Sequence, residues 1–258
     1  MNGHRLLTAE RETRILQLLR GRRTLSVAEF GEELDVSEAT IRRDLQSMAD
    51  RGLLQRVRGG ATLDPSSHVE PMFADKEGKQ TAQKQAIAEA ALALIEDRDV
   101  IYLDGGSTVL SLAQLLERRS DLTVVTNSLM AAAALMESGH RLILVGGTFR
   151  ALSRTLVGPL TAPMIESLSV RKAFMGTIGF TVEDGLTTTD EGEAFTKTEI
   201  MRRADHVVLL ADHTKLGLCS FARSEGTIDT LVTDRLESRM KDTLVESGVK
   251  IVLANRTK

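Results

Sequence analysis

The segment from Val36 to Leu45, VSEATIRRDL, constrains this chain more than any other. Ser37 is a good N-cap, because its hydroxyl accepts a bond from an otherwise unpaired helix amide. Ile41, Leu45 and Met48 recur at helical spacing and turn one face toward a core. The opposite face carries Ala39, Arg43 and Gln46, with Thr40 and Arg42 at its margins. It offers small, hydroxyl, amide and guanidinium groups, the chemistry that meets base edges and phosphates in a major groove. Gly52 stands where a left-handed residue ends such a helix.

An arginine pair on a helix also fits a plain solvated face, and the neighbouring segments decide between the two. Thr8 to Leu19 reads as a first helix, with Leu7, Ile15, Leu18 and Leu19 apolar. Ser26 to Leu34 reads as a second, opened by a Ser-x-x-Glu capping box of Ser26 and Glu29. The two-residue link Asp35-Val36 is as short as a helix-turn-helix needs. Downstream, LLQRVRGGATL predicts two short strands around a turn at Arg58-Gly59-Gly60. This is a wing with Arg56 and Arg58 at or near its tip.

VSEATIRRDL followed by RVRGGA resembles the N-terminal module of the DeoR family of bacterial transcription regulators. The matching positions are Val36, Ser37, Thr40, Ile41, Arg42, Arg43, Asp44, Leu45, Gly52, Leu53, Arg56, Gly59, Gly60 and Ala61. Relatives often carry histidine before the glycine pair; Arg58 stands there and keeps a positive group.

Composition and charge bound the rest. Hydrophobic residues make up 42% of the 258, enough for real cores, and no apolar run approaches the length of a membrane span. The start, MNGHRLLTAERETR, lacks the apolar stretch of a secretory signal. With Cys219 alone no internal disulfide forms, so a reducing cytoplasm is expected. One cysteine and five scattered histidines argue against zinc, and no cofactor is expected. The net charge is −3, yet residues 1–60 hold eleven arginines against nine acids, which leaves −5 for the remainder. DNA affinity would then rest on placed arginines and on oligomerisation rather than on a broad positive field.

Three segments follow from this pattern: a winged helix-turn-helix over residues 1–63, a linker over 64–81, and an effector domain over 82–258. The linker holds Pro65 and Pro71 and breaks the periodicity. Beyond it, helical patterns at 82–95, Leu110–Glu117, Leu129–Glu137, Glu193–Ala204 and Leu236–Glu246 separate β-rich runs. These runs are VIYLD, LTVVTN, RLILVGG, Arg171–Ile178, HVVLLAD, IDTLVTD and VKIVLAN. The fold class expected is α/β, with a mainly parallel sheet covered on both faces.

Ligands of such sheets gather at the C-terminal strand ends. Here those ends read Asp104-Gly105-Gly106-Ser107-Thr108, Thr126-Asn127-Ser128, Gly146-Gly147-Thr148, and Asp212 followed by Lys215. One such loop would serve as a turn or cap. Four in succession predict a pocket for a small polar anion, a phosphate ester above all. Neither a G-x-G-x-x-G nor a Walker A sequence is present, which argues against dinucleotides and nucleoside triphosphates. Lys197 can pair with Glu193 on its own helix or contact a ligand; both readings stay open.

LDGGST, VVTNS, LVGG, AFMGTIGF, DGLTTTDEGEAFTK and LLADHTKLG extend the DeoR resemblance through this half. It implies a sensor domain similar in fold to ribose-5-phosphate isomerase and CoA transferases, responding to phosphorylated sugars or related metabolites. By position it implies phosphate binding at Gly105, Gly106, Ser107 and Thr108. Thr126, Asn127, Gly146 and Gly147 would shape the pocket. Asp104 would orient a sugar hydroxyl or hold the loop, and Lys215 would offer charge. One departure lies after Pro71-Met72-Phe73, where relatives often carry arginine and this chain has Asp75-Lys76. The expectation is a non-enzymatic repressor of a carbohydrate operon. It would bind operator DNA as a homodimer or homotetramer, without a membrane, and leave it when the effector binds. The alternative is an isomerase or transferase with an appended DNA-binding part, for which Asp104, Asp212 and Glu191 are the candidate bases. A DNA-bending architectural protein would explain neither the pocket nor the acidic second half.

Overall fold

The computed structural model describes residues 8–22, 24–50, 54–57, 59–62 and 72–254. The chain divides into two compact units, Met1–Val69 and Glu70–Lys258.

The first unit runs α1 (Thr8–Arg22), β1 (Thr24–Ser26), α2 (Val27–Leu34), α3 (Glu38–Asp50), β2 (Gln55–Val57) and β3 (Gly60–Thr62). Its core gathers Ile15 and Leu19 of α1, Phe30 and Leu34 of α2, and Ile41, Leu45 and Met48 of α3. The capping box of α2 forms as the spacing predicts. Ser26 Oγ accepts from the Glu29 amide at 3.2 Å, and Glu29 Oε2 accepts from the Ser26 amide at 2.7 Å. These bonds to Ser26, the backbone one first, hold the Glu29 carboxyl below its ordinary pKa. Asp35 adopts a left-handed φ of 51°, and the Val36 amide bonds Gly31 O at 3.0 Å, which turns the chain sharply into α3.

The wing is a three-stranded antiparallel sheet in the order β1-β3-β2. Its third strand, β1, spans three residues and escapes any periodicity test. Gly60 is needed there: a Cβ would sit inside the Leu25 carbonyl oxygen and 2.9 Å from Ser26 Cα. Arg58, Gly52 and Leu53 lie outside the described residues.

The second unit opens with α4 (Phe73–Glu77), α5 (Thr81–Leu92), β4 (Val100–Leu103), α6 (Ser107–Ala113), β5 (Thr123–Thr126), α7 (Leu129–Leu135) and β6 (Arg141–Leu144). It continues with β7 (Thr148–Arg150), β8 (Thr155–Val157), α8 (Ala162–Glu166), β9 (Lys172–Met175), β10 (Gly179–Thr181), β11 (Gly185–Thr188) and α9 (Glu191–Met201). It closes with β12 (Val207–Leu210), β13 (Ala222–Arg223), β14 (Thr230–Thr233), α10 (Ser238–Glu246) and β15 (Lys250–Leu253). Part of the stretch read as linker is therefore structured. Within 64–81, residues 64–71 lie outside the described set, whereas Phe73 is 1% exposed, its amide bonds Leu152 O at 3.0 Å, and the Arg154 guanidinium lies 5.3 Å from its ring.

A seven-stranded sheet in the order β15-β14-β12-β9-β4-β5-β6 forms the centre, and every pairing in it is parallel. One face packs against α5, α6 and α7 through residues such as Ile87, Leu112 and Leu135. The other packs against α8, α9 and α10 through Ile165, Ile200 and Leu244. Burial on both faces is why these strands read as continuous apolar runs. The chain lays β5 and β6 on one side of β4, then returns to lay β9, β12, β14 and β15 on the other. The crevice between the ends of β4 and β9 is thus the topological switch point, where ligands of open α/β sheets bind.

A hairpin of β7 and β8 and a small antiparallel sheet in the order β10-β11-β13 stand apart from the main sheet. Their strands of two to four residues left no period to read in the sequence. The expected helix at Leu110–Glu117 begins earlier, at Ser107, and ends at Ala113, with a separate 3-10 turn at Leu116–Arg118.

Candidate functional site

In the first unit, α3 presents Ser37, Ala39, Arg42, Arg43 and Gln46 to solvent, with Thr40 half-buried. The Ser37 hydroxyl lies 3.4 Å from the Thr40 amide and 3.0 Å from the Thr40 hydroxyl, so the two close the N-terminus of the helix. Arg42 bonds Glu38 one turn back at 2.8 Å, and Gln46 bonds Asp50 at 2.8 Å. Arg43 is exposed and has no partner among the described residues. Arg56, on β2, is half-buried, and its Nη1 is buried without a hydrogen bond among the described residues. Sequence reasoning missed Asp44 as a buried residue: it is 7% exposed and bonds Arg11 of α1 through both oxygens, at 2.7 and 3.1 Å.

In the second unit, the ends of β6, β5, β4, β9 and β12 lie side by side. The predicted strand-end motifs therefore share one edge of one sheet. At the switch point, the amides of Gly105, Gly106, Ser107, Thr108 and Val109 donate to no acceptor among the described residues. Gly105 and Gly176 meet backbone to backbone; a Cβ on Gly176 would lie 2.6 Å from Gly105 O, and a Cβ on Gly105 would strike Thr155 of β8.

Asp104 is 3% exposed and is committed to the scaffold: its Oδ2 accepts from the Gly176 amide at 3.0 Å and pairs with Lys197 of α9. Lys197 also donates to Gly176 O at 3.0 Å. The partner that Lys197 takes at hydrogen-bond distance is Asp104 of the sheet edge, in place of the Glu193 that helical spacing offers. Both side chains point inward, but to different partners, because the sheet edge offers Lys197 a carboxylate at Asp104 and the hairpin offers Glu193 a guanidinium. Glu193 accepts from the Thr188 hydroxyl at 2.5 Å and lies 3.6 Å from Arg150, which also meets Asp190 at 3.2 Å.

The remaining predicted positions divide. Thr126 is fully buried, donating to Leu103 O at 2.6 Å and accepting from the Ser128 amide at 3.0 Å. Gly147 allows β8 to approach, since a Cβ would fall 2.9 Å from the Val157 nitrogen; Gly146 is exposed. Asn127 donates to Leu156 O at 3.1 Å, and its Oδ1 is buried without a partner among the described residues. Tyr102, fully buried two residues before Asp104, likewise has no partner for its hydroxyl among them. Burial first, then the charges of Asp104 and Glu193, raise its phenol well above the ordinary pKa.

Lys215 lies half-buried beyond β12, in the electrostatic reach of Lys84. Lys84, on α5, is the main residue that sequence reasoning missed. It is 6% exposed, and its ammonium bonds the carbonyls of Lys76 and Lys79. Burial first, then Lys215 and Lys76, push its pKa down, against the pull of Asp212 and Glu77. A lysine near the start of an alanine-rich helix gives no sign in sequence that it faces inward.

The three acids considered as catalytic bases are dispersed or engaged. Asp104 is paired, Asp212 bonds the Thr214 amide at 3.0 Å, and Glu191 is exposed beside a separate groove with Phe195, Arg202 and Phe221. Among the described residues no helix is long and apolar enough to cross a membrane, and no cluster of metal-ligating side chains occurs.

Comparison with known proteins bears on both units. Residues 11–67 match the family described as DeoR-like helix-turn-helix domain, and residues 79–235 match the DeoR C terminal sensor domain. The chain is 36% identical to the HTH-type transcriptional regulator GlpR of Haloferax volcanii, over 96% of this chain and 98% of that one. It is 32% identical to the Glycerol-3-phosphate regulon repressor of Escherichia coli, over 87% and 90%. Among solved structures, ribose 5-phosphate isomerase A of Methanocaldococcus jannaschii aligns with a TM-score of 0.39 at 20% identity, over 52% of this chain and 53% of that one. With both domain families matched in order and curated regulators aligned end to end, the chain belongs to the DeoR family of DNA-binding transcriptional regulators, and it is a regulator rather than an enzyme.

Proposed function

We propose that this regulator represses genes of sugar or polyol use and leaves its operator when a phosphorylated sugar or polyol binds at the switch point of the second unit. The observation that carries this reading is the run of five uncommitted amides from Gly105 to Val109. Consecutive amides in a glycine-rich loop form a concavity of positive potential suited to a phosphate. The cationic side chains Lys84 and Lys215, near the end of β12, add charge on the same edge. The name of one relative, a glycerol-3-phosphate regulon repressor, points to the same ligand chemistry. No further cofactor is invoked.

On the DNA side, Ser37, Ala39, Thr40, Arg42, Arg43 and Gln46 would line the major groove, and Arg56 and Arg58 would work from the wing. Two or four copies would occupy paired half-sites in the cytoplasm. Release then requires the effector to bind the DNA-free state more tightly than the bound one; tight binding alone shifts nothing. Of the predicted pocket residues, Gly105, Gly106, Ser107 and Thr108 hold the phosphate in this reading, Asn127 faces the remainder of the ligand, and Thr126, Gly146 and Gly147 keep the strand ends in shape.

Thermal unfolding against a panel of sugar and polyol phosphates, each beside its unphosphorylated parent, tests the proposal. Saturation at about 100 times Kd adds about 2.7 kcal/mol of stability. A rise with one phosphate and none with its parent is the expected result, followed by loss of operator binding with that compound. Equal shifts with ester and parent, or none with any member, would remove the phosphate reading.

A further inference from the structure

The triplet Arg42-Arg43-Asp44 is divided three ways by its surroundings. Arg42 is held at 2.8 Å by Glu38 on the helix surface. Arg43 stands in solvent without a partner among the described residues. Asp44 turns inward to Arg11, and the pair is nearly dry, with side-chain exposures of 8% and 11%.

We propose that the Arg11–Asp44 pair is a positioning device that fixes the roll of α3 about its axis, and that Arg43 is the base-reading side chain it aims. The apolar seat of α3 sets which face is buried. Ile41, Leu45 and Met48 pack fully buried in the core, but the hydrophobic effect that drives them there carries no direction of its own. A two-bond guanidinium–carboxylate fork is planar and directional, and it tolerates little. The lever is short: a roll of about 20° carries a group ~6 Å from the helix axis through ~2 Å. That displacement breaks a forked contact to a base edge, whereas a phosphate contact by a flexible arginine survives it. Asp44 adjoins Arg43 in sequence, so its anchoring acts directly beside the reading side chain. Arg42, already engaged by Glu38, is left to the phosphate backbone.

A merely stabilising ion pair would predict something different. Replacing a buried pair with apolar residues of similar volume is often neutral for stability. Such a replacement keeps the burial and removes the direction. The test uses the full chain and a duplex selected by the wild-type protein from a random-sequence library, with unselected duplex as reference. Arg11→Met combined with Asp44→Leu is expected to unfold at the wild-type temperature and to bind unselected duplex within about twofold. Its preference for the selected duplex should fall roughly tenfold or more, the scale of one forked base contact. Arg43→Gln should lose the same preference, and adding it to the double variant should cost little more, since the aim is already lost. Arg42→Gln should weaken both duplexes alike. A folded double variant that keeps its full preference overturns the proposal, as does an Arg43→Gln protein with unchanged preference. Should the double variant fail to fold, Arg11→Lys decides, because it keeps the charge and loses the fork. Unaltered preference in that variant would equally overturn the assignment.

Discussion

Lys197→Met is the substitution that most directly probes the switch point. In the wild type, the Lys197 and Asp104 side chains are 6% and 4% exposed and face each other across the ends of β4 and β9. Removing the lysine leaves the Asp104 carboxylate buried with the Gly176 amide at 3.0 Å as its remaining donor among the described residues. Stranding one member of a buried pair costs about 3–5 kcal/mol. For a unit of this size each kcal/mol moves the melting temperature by about 2–4 °C, so a drop of ~6 °C or more is expected. Tyr102 is the chain's single tyrosine, and tryptophan is absent, so tyrosine fluorescence reports unfolding of the second unit by itself. The decisive control is Asp104→Asn combined with Lys197→Met. A neutral amide still accepts from Gly176 while no charge is stranded, and most of the loss should return. If the single variant loses less than about 1 kcal/mol, or the double variant is no more stable than the single, the pair is not the dry clamp described.

Burial alone would raise the Asp99 pKa, but bonds from Lys172 at 2.7 Å and the Glu96 amide at 3.0 Å, with Arg171 nearby, hold it below the ordinary aspartate value. Its contribution is therefore complete above the unfolded pKa and lost as pH falls through the lower folded one. Asp99→Asn should flatten the acid limb of a urea-stability curve below about pH 5; an unchanged limb would contradict the assignment. Gly60→Ala forces β1 away from β3 at a cost of about 1–3 kcal/mol. It should reduce DNA binding while the tyrosine-reported transition stays in place, and intact binding would refute the close approach. Tyr102→Phe removes a buried hydroxyl whose desolvation costs about 1–3 kcal/mol when unpaired. Urea unfolding followed by circular dichroism should show equal or greater stability, and a clear loss would reveal a partner for that hydroxyl.

Legibility from sequence tracked the range of the interaction. The capping box at Ser26 and Glu29, the turn at Asp35 and the apolar face of α3 are local, so spacing alone places them. The parallel strands announced themselves because both faces are buried. Lys84, Lys197 and Asp44 were not legible as they stand. Each is a charged residue on a helix whose exposure is set by a partner 33 or 93 positions away, or by two carbonyls of a preceding turn. The spacing that suggested Lys197–Glu193 was sound as helix geometry, but the sheet edge supplied competing partners. The hairpin of β7 and β8 was missed because three residues per strand carry no period. It nonetheless covers Gly105, so part of the site's wall was invisible beforehand.

The order of the main sheet has a consequence for how the chain is made. β4 is the first of the seven strands to leave the ribosome and ends inside the finished sheet, between β9 and β5. One of its edges is taken early by β5, which follows about twenty residues later. The other must wait for β9, and the Asp99–Lys172 bond that joins those two strands spans 73 residues. Until β9 arrives, β4 is an edge strand, with an open row of amides and carbonyls beside the apolar Ile101 and Leu103. Long-range parallel pairing of this kind is slow to form. The hazard during synthesis therefore lies in the future interior of the sheet, and substitutions in β9 should lower soluble yield more than equal losses of stability in β15.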